Sequence, residues 1–565
     1  MNSIQQYSCR VQEKVFWINA FLVLLLMLLI GCTLILSCVP PVSKDALVHH
    51  LAVPKLYLKH GGIYEIPSME FSYYPMNLDL LYMIPLYFKN DIAPKYIHFG
   101  FAMLTSWLIF IYLRRRINTV YGLLGVIFFI SIPIIIKLSI TVYVDLGVIF
   151  FSTASLLLIL KWIESGFRVR FLILSGVLCG LALGTKYNGL VIFFLLTLFV
   201  PFLYSRYTQR EKPGFIRPMG YGMLFLVIVL FVFSPWMIRN YHWKKNPIYP
   251  LYNSWFNPPK ATSGKVVSGD AAKNPNRGFF TFRSMVYHET WWQIALLPVR
   301  VFFQGKDGDP QYFDGKLNPF LLLLPIFAFY RMREDPYNVG KEKKVILAFA
   351  ILFFGFAFFS IVMRIRYISP IIPPLVILSV FGVKNMIGIV DRFGKKNTRQ
   401  AGLAVVCMIL TFFFALNVDY IIDQFRYVAP FTYIKGTMSR DEYIERYRPE
   451  YPAMRYINKN LPSDALILFI FLGKRGYYCD RRYMLGEGQL VHIIRKSNHS
   501  QEILLGLKNL GITHLLINNS FFDRWVKDNF EQKKRELLKE FFNRHVKVLF
   551  LKSGYGLGRL EYLSS

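Results

Sequence analysis

With 565 residues, 54% of them hydrophobic and 17% aromatic, and a mean hydropathy of +0.37, the chain is too apolar for a soluble globular protein of its length. Its formal net charge of +32 would suggest nucleic acid in a soluble chain. Here the apolar residues fall in blocks of about 18–22, enough to cross a ~30 Å hydrocarbon core, so the composition points to a mainly α, polytopic membrane protein with no nucleic-acid partner.

In chain order the apolar runs lie near 16–38, 95–113, 119–137, 142–161, 171–185, 187–204, 219–238, 317–330, 345–363, 367–384 and 401–420. That is about eleven expected transmembrane helices. The first run ends in "SCVPPVSKD" (37–45), whose two prolines leave no small-residue cleavage site, so an anchor helix that stays in place is expected. Five short loops are basic: "RRRIN" (114–118), "KWIESGFRVR" (161–170), "YSRYTQREKPGFIRP" (204–218), "RMREDPYNVGKEKK" (331–344) and "KNMIGIVDRFGKKNTRQ" (384–400). With about eleven spans they fall on one side, and the positive-inside bias assigns that side to the cytoplasm. The outer side then receives a first loop (40–94), a large loop (239–316) and the whole tail. A membrane domain over 1–424 and a tail domain over 425–565 are expected.

The first loop opens with "SKDALVHHLAVPK" (43–55). If 46–58 is an α-helix, Asp45 and His49 share a face at i,i+4 spacing, and His50 is rotated away. Lys55 follows one turn on. The plainer reading makes Asp45 only the N-cap of that helix. Residues 76–88 form an apolar run too short to span, expected as an interfacial helix.

Asp145 comes next, in "ITVYVDLGVIFF" (140–151) at the outer end of the fourth span. A carboxylate at a helix centre costs about 2.5–3.5 kcal/mol to insert, and ionisable groups in spans are by default functional. "GLALGTKYNGL" (180–190) places Lys186 and Tyr187 in an outer turn. "SPWMIRNYHWKKNPIYP" (234–250) places Arg239 after the seventh span, and "IVMRIRYISPIIPP" (361–374) places Arg364 and Arg366 in a third outer turn. One such cation reads as a side chain snorkelling to headgroups. Four cations and two carboxylates at one depth read as one site. The cations suit a phosphate and the carboxylates a general base. A phosphate at the lipid boundary implies a lipid phosphate.

Beyond 425 the pattern changes. Strand-like runs "ALILFIF" (465–471), "THLLINN" (513–519) and "VKVLFL" (547–552) surround a charged helical stretch at 523–545, which predicts a small extracytoplasmic α/β domain. This tail is expected to be dispensable for donor binding. The six cysteines are scattered without metal-ligand spacing and read as packing residues.

"DALVHHL…PK…HGGI…SYYP…DLLY", "VDL", "GTKYNGL", "PWMIRNYHWKKNPIYPL" and "RYISPIIPP", in this order, resemble the GT-C type membrane glycosyltransferases. The nearest types are the bacterial protein O-mannosyltransferase-like and lipid A aminoarabinose transferase-like enzymes. The resemblance covers about residues 15–420 and implies a polyprenyl-phosphate sugar donor. It also implies inverting transfer to a glycan, lipid or protein acceptor at the outer face of the bacterial cytoplasmic membrane. It maps the catalytic carboxylate to Asp45, the second acidic position to Asp145, and donor-phosphate ligands to Lys186 and Arg366. The chain departs from the aminoarabinose transferases at "SYYPMN" (72–77), where Tyr74 stands in place of a lysine, which argues against aminoarabinose as the product. Some such enzymes use a divalent metal, for which Asp45 and His49 supply two ligands; the cofactor stays open.

The competing class is a transporter or flippase of a lipid-linked glycan. Transporters place polar groups at the midplane and show inverted repeats, whereas here the polar residues gather at one face and no repeat is visible. A scaffold displaying the tail is the third reading. Within the large outer loop, "TWWQ" (290–293) and "QGKDGDPQYFDGK" (304–316) are expected to shape the acceptor site. Trp291 and Trp292 read either as a sugar platform or as an interfacial aromatic belt.

Overall fold

In the computed structural model, residues 2–208, 214–258, 279–331, 336–358 and 363–561 are described. Each of the eleven apolar runs carries helix among the described residues. Among the described residues seven helices are long and apolar enough to cross a membrane alone: Gln12–Ser37, Ala93–Arg116, Asp145–Glu164, Gly189–Tyr207, Ile216–Lys244, Ile365–Val390 and Lys396–Val428. Thr119–Ser131 and Pro133–Ser139 add an eighth if taken as one span bent by 68°. The bend falls where Pro133 lacks the N–H that would continue the first helix.

The other three runs hold no described helix that passes as a span alone. Val169–Thr185 has 17 residues and Phe320–Ala328 only nine, which rise about 25 and 13 Å. The run at 345–363 is described as far as Phe358, in helix Tyr337–Phe358; residues 359–362 lie outside the described residues. Apolar composition alone does not separate a short helix buried in protein from one facing lipid. Phe320–Ala328 buries one face, through Phe320, Leu321, Leu324 and Ala328, and exposes Leu323, Ile326 and Phe327 on the other. It packs so closely on Ile372–Val390 that a Cβ on Gly382 would lie 2.0 Å from the Leu324 carbonyl oxygen.

A buried amide network ties Asn318, just before helix Phe320–Ala328, to two neighbouring helices. Asn318 Nδ2 donates to the Phe413 carbonyl at 2.8 Å and to Asn417 Oδ1 at 2.7 Å. Asn417 Nδ2 donates to Ser131 Oγ at 2.9 Å. Replacing Asn417 by Leu strips an acceptor from one buried group and a donor from another. We expect a stability loss of about 1–3 kcal/mol, read as a lowered midpoint of thermal unfolding in detergent.

The tail carries five strands in the order β2-β1-β3-β5-β4: β1 Leu466–Ile470, β2 Arg482–Leu485, β3 His514–Asn518, β4 Val546–Lys552 and β5 Tyr555–Leu560. β1 pairs in parallel with β2 and β3, whereas β5 runs antiparallel to β3 and β4. Strand alternation sends Leu468 and Ile470 to one core, with helices Glu487–Lys496 and Ser500–Asn509, and Ile467 and Phe469 to the other, with Tyr451–Asn460. The three expected strands and the charged helical stretch are present, the latter as Asn519–Asn529 and Gln532–His545. The membrane helix Lys396–Val428 runs one turn past the expected boundary at 424.

Candidate active site

Asp45 does not cap an α-helix. It precedes a single π-turn, Ala46–His50, and its side chain makes no capping bond. Leu51 N–H donates to the Ala46 carbonyl at 2.9 Å, one residue further back than in an α-helix. The expected helix 46–58 is therefore this π-turn followed by Ala52–His60. The register changes which side chains meet. At ~4.4 residues per turn, groups five apart sit about 50° apart, against about 140° in an α-helix. His50, expected to point away, thus shares the face of Asp45.

The Asp45 carboxylate meets a cation from the far end of the chain. Arg366, in the short helix Ile365–Ile368, places Nη1 2.5 Å from Asp45 Oδ2. Burial would raise the Asp45 carboxyl, but the Arg366 guanidinium, with smaller help from His49, holds it well below the usual carboxylate range. Arg366 also lies 5.2 Å from the Tyr143 ring and 5.3 Å from that of Tyr367, and its buried Nε has no partner among the described residues.

A second carboxylate–cation pair stands beside the first. Asp145 opens helix Asp145–Glu164, and its Oδ1 lies 2.6 Å from Lys186 Nζ. Lys186 comes from the turn between Val169–Thr185 and Gly189–Tyr207 and is 5.4 Å from the Tyr367 ring. Arg366 is close enough to act on Asp145 as well, which joins the two pairs. His98 steadies this helix start: its Nε2 accepts from Leu146 N–H at 3.0 Å, while Nδ1 faces the Leu138 and Thr141 carbonyls. That pattern fits the neutral ring with its proton on Nδ1.

Behind Asp45, His49 stacks on Phe71 at 4.6 Å and touches the His50 ring at 3.9 Å. His50 Nδ1 lies 2.7 Å from Asp79 Oδ1, both groups buried. Burial lowers the His50 imidazole to about 3 and raises the Asp79 carboxyl to about 8. Both are then uncharged at neutral pH, the acid donating to the ring nitrogen. Asp79 belongs to helix Asn77–Tyr87, the expected interfacial helix. One carboxylate inside an apolar run was its only sequence signal.

The remaining candidates do not join this cluster. Arg239 lies inside helix Ile216–Lys244 rather than after it, donates to the Tyr73 and Tyr74 carbonyls at 2.7 and 3.1 Å, and sits between the Trp236 and Trp243 rings. Arg364 faces Asp314 at 3.7 Å. Lys55 bonds Asp480 in the tail at 2.7 Å. Tyr187 donates to the Tyr249 carbonyl at 2.9 Å and packs on Tyr74 at 5.3 Å. Arg239 and Tyr187 thereby brace the first loop. Trp291 and Trp292 are 80% and 49% exposed. Among the described residues, no three His, Cys, Asp or Glu side chains gather as metal ligands.

A cavity of about 640 Å³ opens next to the cluster, sharing Tyr143 with it and lined also by Ser43, Lys44, Lys137, Asp314 and Arg448. The segment 304–316 forms part of its wall through Lys137, which lies 3.0 Å from Asp307 and 3.2 Å from Asp314.

Most of the chain can be superposed on ArnT of Cupriavidus metallidurans. In the apo state the match has a TM-score of 0.56 at 14% identity and covers 95% of this chain and 97% of ArnT. The chain has the fold of the GT-C membrane glycosyltransferases. ArnT bound to undecaprenyl phosphate matches the GT-C fold of this chain with a TM-score of 0.54 at 14% identity, over 96% and 98% of the two chains. The apo oligosaccharyltransferase of Archaeoglobus fulgidus matches with a TM-score of 0.52 at 10% identity, over 87% of this chain and 69% of that one. In sequence, residues 92–238 match the family of dolichyl-phosphate-mannose-protein mannosyltransferases. That stretch holds Asp145 and Lys186 but leaves Asp45 and Arg366 outside. No curated protein sequence matches the chain.

Proposed function

We propose that the protein is an inverting glycosyltransferase that takes a sugar from a polyprenyl-phosphate donor at the outer face of a bacterial cytoplasmic membrane. The observation that carries this reading is the paired cluster Asp45–Arg366 and Asp145–Lys186, set in a GT-C fold beside a cavity. The similarity to ArnT, which binds undecaprenyl phosphate, supports the donor class. The acceptor hydroxyl gives its proton to Asp45. Its oxygen attacks the anomeric carbon from the face opposite the phosphate. The bond from that carbon to the phosphate oxygen breaks, and the lipid phosphate leaves with the electron pair, stabilised by Arg366 and Lys186.

In the free site each cation is neutralised by a carboxylate. An arriving phosphate competes for Arg366, and as the guanidinium turns to it Asp45 loses the partner that suppresses its basicity. An adjacent opposite charge lowers a carboxyl by about 1–3 units, so release makes Asp45 about 10 to 1,000 times more basic when donor is bound. His50 and Asp79, neutral as a pair, wall this site without adding charge.

Purified protein incubated with radiolabelled undecaprenyl-phosphate hexoses and pentoses, with cell-envelope extract as acceptor, should release undecaprenyl phosphate and label the extract. Movement of labelled lipid across vesicles without release would support the transporter instead.

A further inference from the structure

The tail domain is tied to the segment that carries Asp45. Gly476 N–H and Tyr477 N–H both donate to the Leu47 carbonyl at 3.2 Å. Tyr478 hydroxyl donates to the Pro41 carbonyl at 2.8 Å. Lys55 Nζ donates to the Tyr477 carbonyl and to Asp480 Oδ1, each at 2.7 Å, and Lys59 Nζ to the Asp480 carbonyl at 2.9 Å. At the end of the same loop, Asp91 Oδ2 accepts from Tyr477 hydroxyl at 3.2 Å and from Arg440 at 2.6 Å. The tail side is itself fixed, because Asn458 bonds both the Tyr478 carbonyl and Asp480 N–H. The tail thus grips the chain four residues before Asp45, two residues after it and ten residues after it.

The grip acts on the register of the turn. In an α-helix the Leu47 carbonyl would accept from Leu51 N–H. Here Leu51 N–H goes to Ala46, and the carbonyl so freed is satisfied by two tail N–H groups. A buried carbonyl left without a donor costs about 1–3 kcal/mol. Without the tail, Leu51 is its nearest replacement, and taking it turns the π-turn into an α-turn. Relative to helix Ala52–His60, anchored by buried Val53 and Tyr57, that change rotates Asp45 by about 100° and shifts it about 1.5 Å. A 2.5 Å contact with Arg366 does not survive it.

We infer that segment Gly476–Asp480 of the tail is a positioning element for catalysis, holding the π-turn that aims Asp45 at Arg366. Lys55, Tyr478 and Asp480 are its side-chain ties and touch no reacting atom. The inference rests on the role of Asp45 proposed above. It adds a role in positioning the base to a tail expected to be dispensable for donor binding.

The test uses the full-length protein with Lys55→Met and Tyr478→Phe combined, assayed on whichever donor of the panel the wild type turns over. The turn should loosen, seen as faster hydrogen exchange in a peptide covering 46–51. kcat should fall about tenfold. The acid limb of kcat/KM should move up by about one unit, because Asp45 loses part of its guanidinium partner. Lys55→Arg, which keeps the ties to Tyr477 and Asp480, should restore the limb. Unchanged exchange, or a slower enzyme whose acid limb stays in place, overturns the inference. If the double variant does not fold, each single variant breaks part of the tie and gives the same readouts at smaller amplitude. Asp45→Asn run alongside separates the two claims. An active Asp45→Asn protein ends the base assignment and this inference with it. A dead Asp45→Asn with a wild-type double variant ends this inference alone.

Discussion

Asp45→Asn should lower transfer by about 10²- to 10⁴-fold, the range expected for loss of a general base, while leaving the protein folded. The amide oxygen can still accept from Arg366, which lies 2.5 Å from the carboxylate in the wild type, so the change removes basicity and little packing. A residue serving only as a helix cap would give a silent assay. The pH dependence carries a second signature. In the free enzyme the net effect on Asp45 is a lowered carboxyl, with Arg366 overcoming burial. Protonation, and loss of activity from this group, therefore begins only below the ordinary carboxylate range. With donor bound Arg366 is shared with the phosphate, so the suppression is relieved and the group protonates at higher pH. Since kcat/KM reports the free enzyme and kcat the complex, the acid limb of kcat should lie above that of kcat/KM by about 1–3 units. Coincident limbs would show that Arg366 stays on Asp45 throughout. The contact also contributes to stability, fully present above the unfolded carboxyl value and lost as pH falls through the lowered one.

Arg366→Lys should reduce donor use by about one to two decades. The charge remains, but an ammonium is a point donor that cannot bridge a carboxylate and a phosphate as the planar fork can. Loss of one charge-assisted hydrogen bond is worth about 1.5–3 kcal/mol, which sets that scale. Stacking changes too, because the guanidinium lies over both Tyr143 and Tyr367. The effect belongs in kcat/KM measured at varied donor concentration. A side chain that merely snorkelled to headgroups would accept lysine freely, and unchanged kinetics would remove Arg366 from the donor site.

The helical architecture was largely legible because hydrocarbon imposes one rule, long apolar helices, and every expected run carries helix among the described residues. Which runs cross alone was less so: Phe320–Ala328 is apolar all round, yet only one face of its nine residues is buried in protein, and composition does not give a helix its length. In the tail, β5 was missed because "YGLGRL" reads as a turn, with glycine at alternate positions. Gly558 is there because a Cβ would lie 2.3 Å from a methyl of Val546 on the neighbouring strand, a constraint visible only once the strands are paired. At the candidate site, Asp45, Asp145, Lys186 and Arg366 were among the residues singled out in the sequence and lie together, whereas Arg239 and Arg364, singled out with them, bond elsewhere. The pairing was not legible there, since Asp45 and Arg366 are 321 residues apart. The orientation of His50 was misread because a π-turn depends on tail N–H groups more than 400 residues away and leaves no periodicity of its own. Lys55, grouped with the site by nearness in sequence, is held by the tail. Cys479, a natural reporter for the side of the tail, is only 4% exposed, so an impermeant thiol reagent needs a cysteine engineered elsewhere.

The central claim is that Arg366 and Lys186 receive the donor phosphate and thereby free Asp45 to act as the base. A structure of the wild-type protein with undecaprenyl phosphate added tests this most directly. The account predicts the phosphate within hydrogen-bond distance of Arg366 and Lys186, with the Arg366–Asp45 distance lengthened beyond its present 2.5 Å and the Asp45 carboxylate facing the cavity beside Tyr143. Phosphate bound elsewhere, with both carboxylate–cation pairs intact, would contradict it.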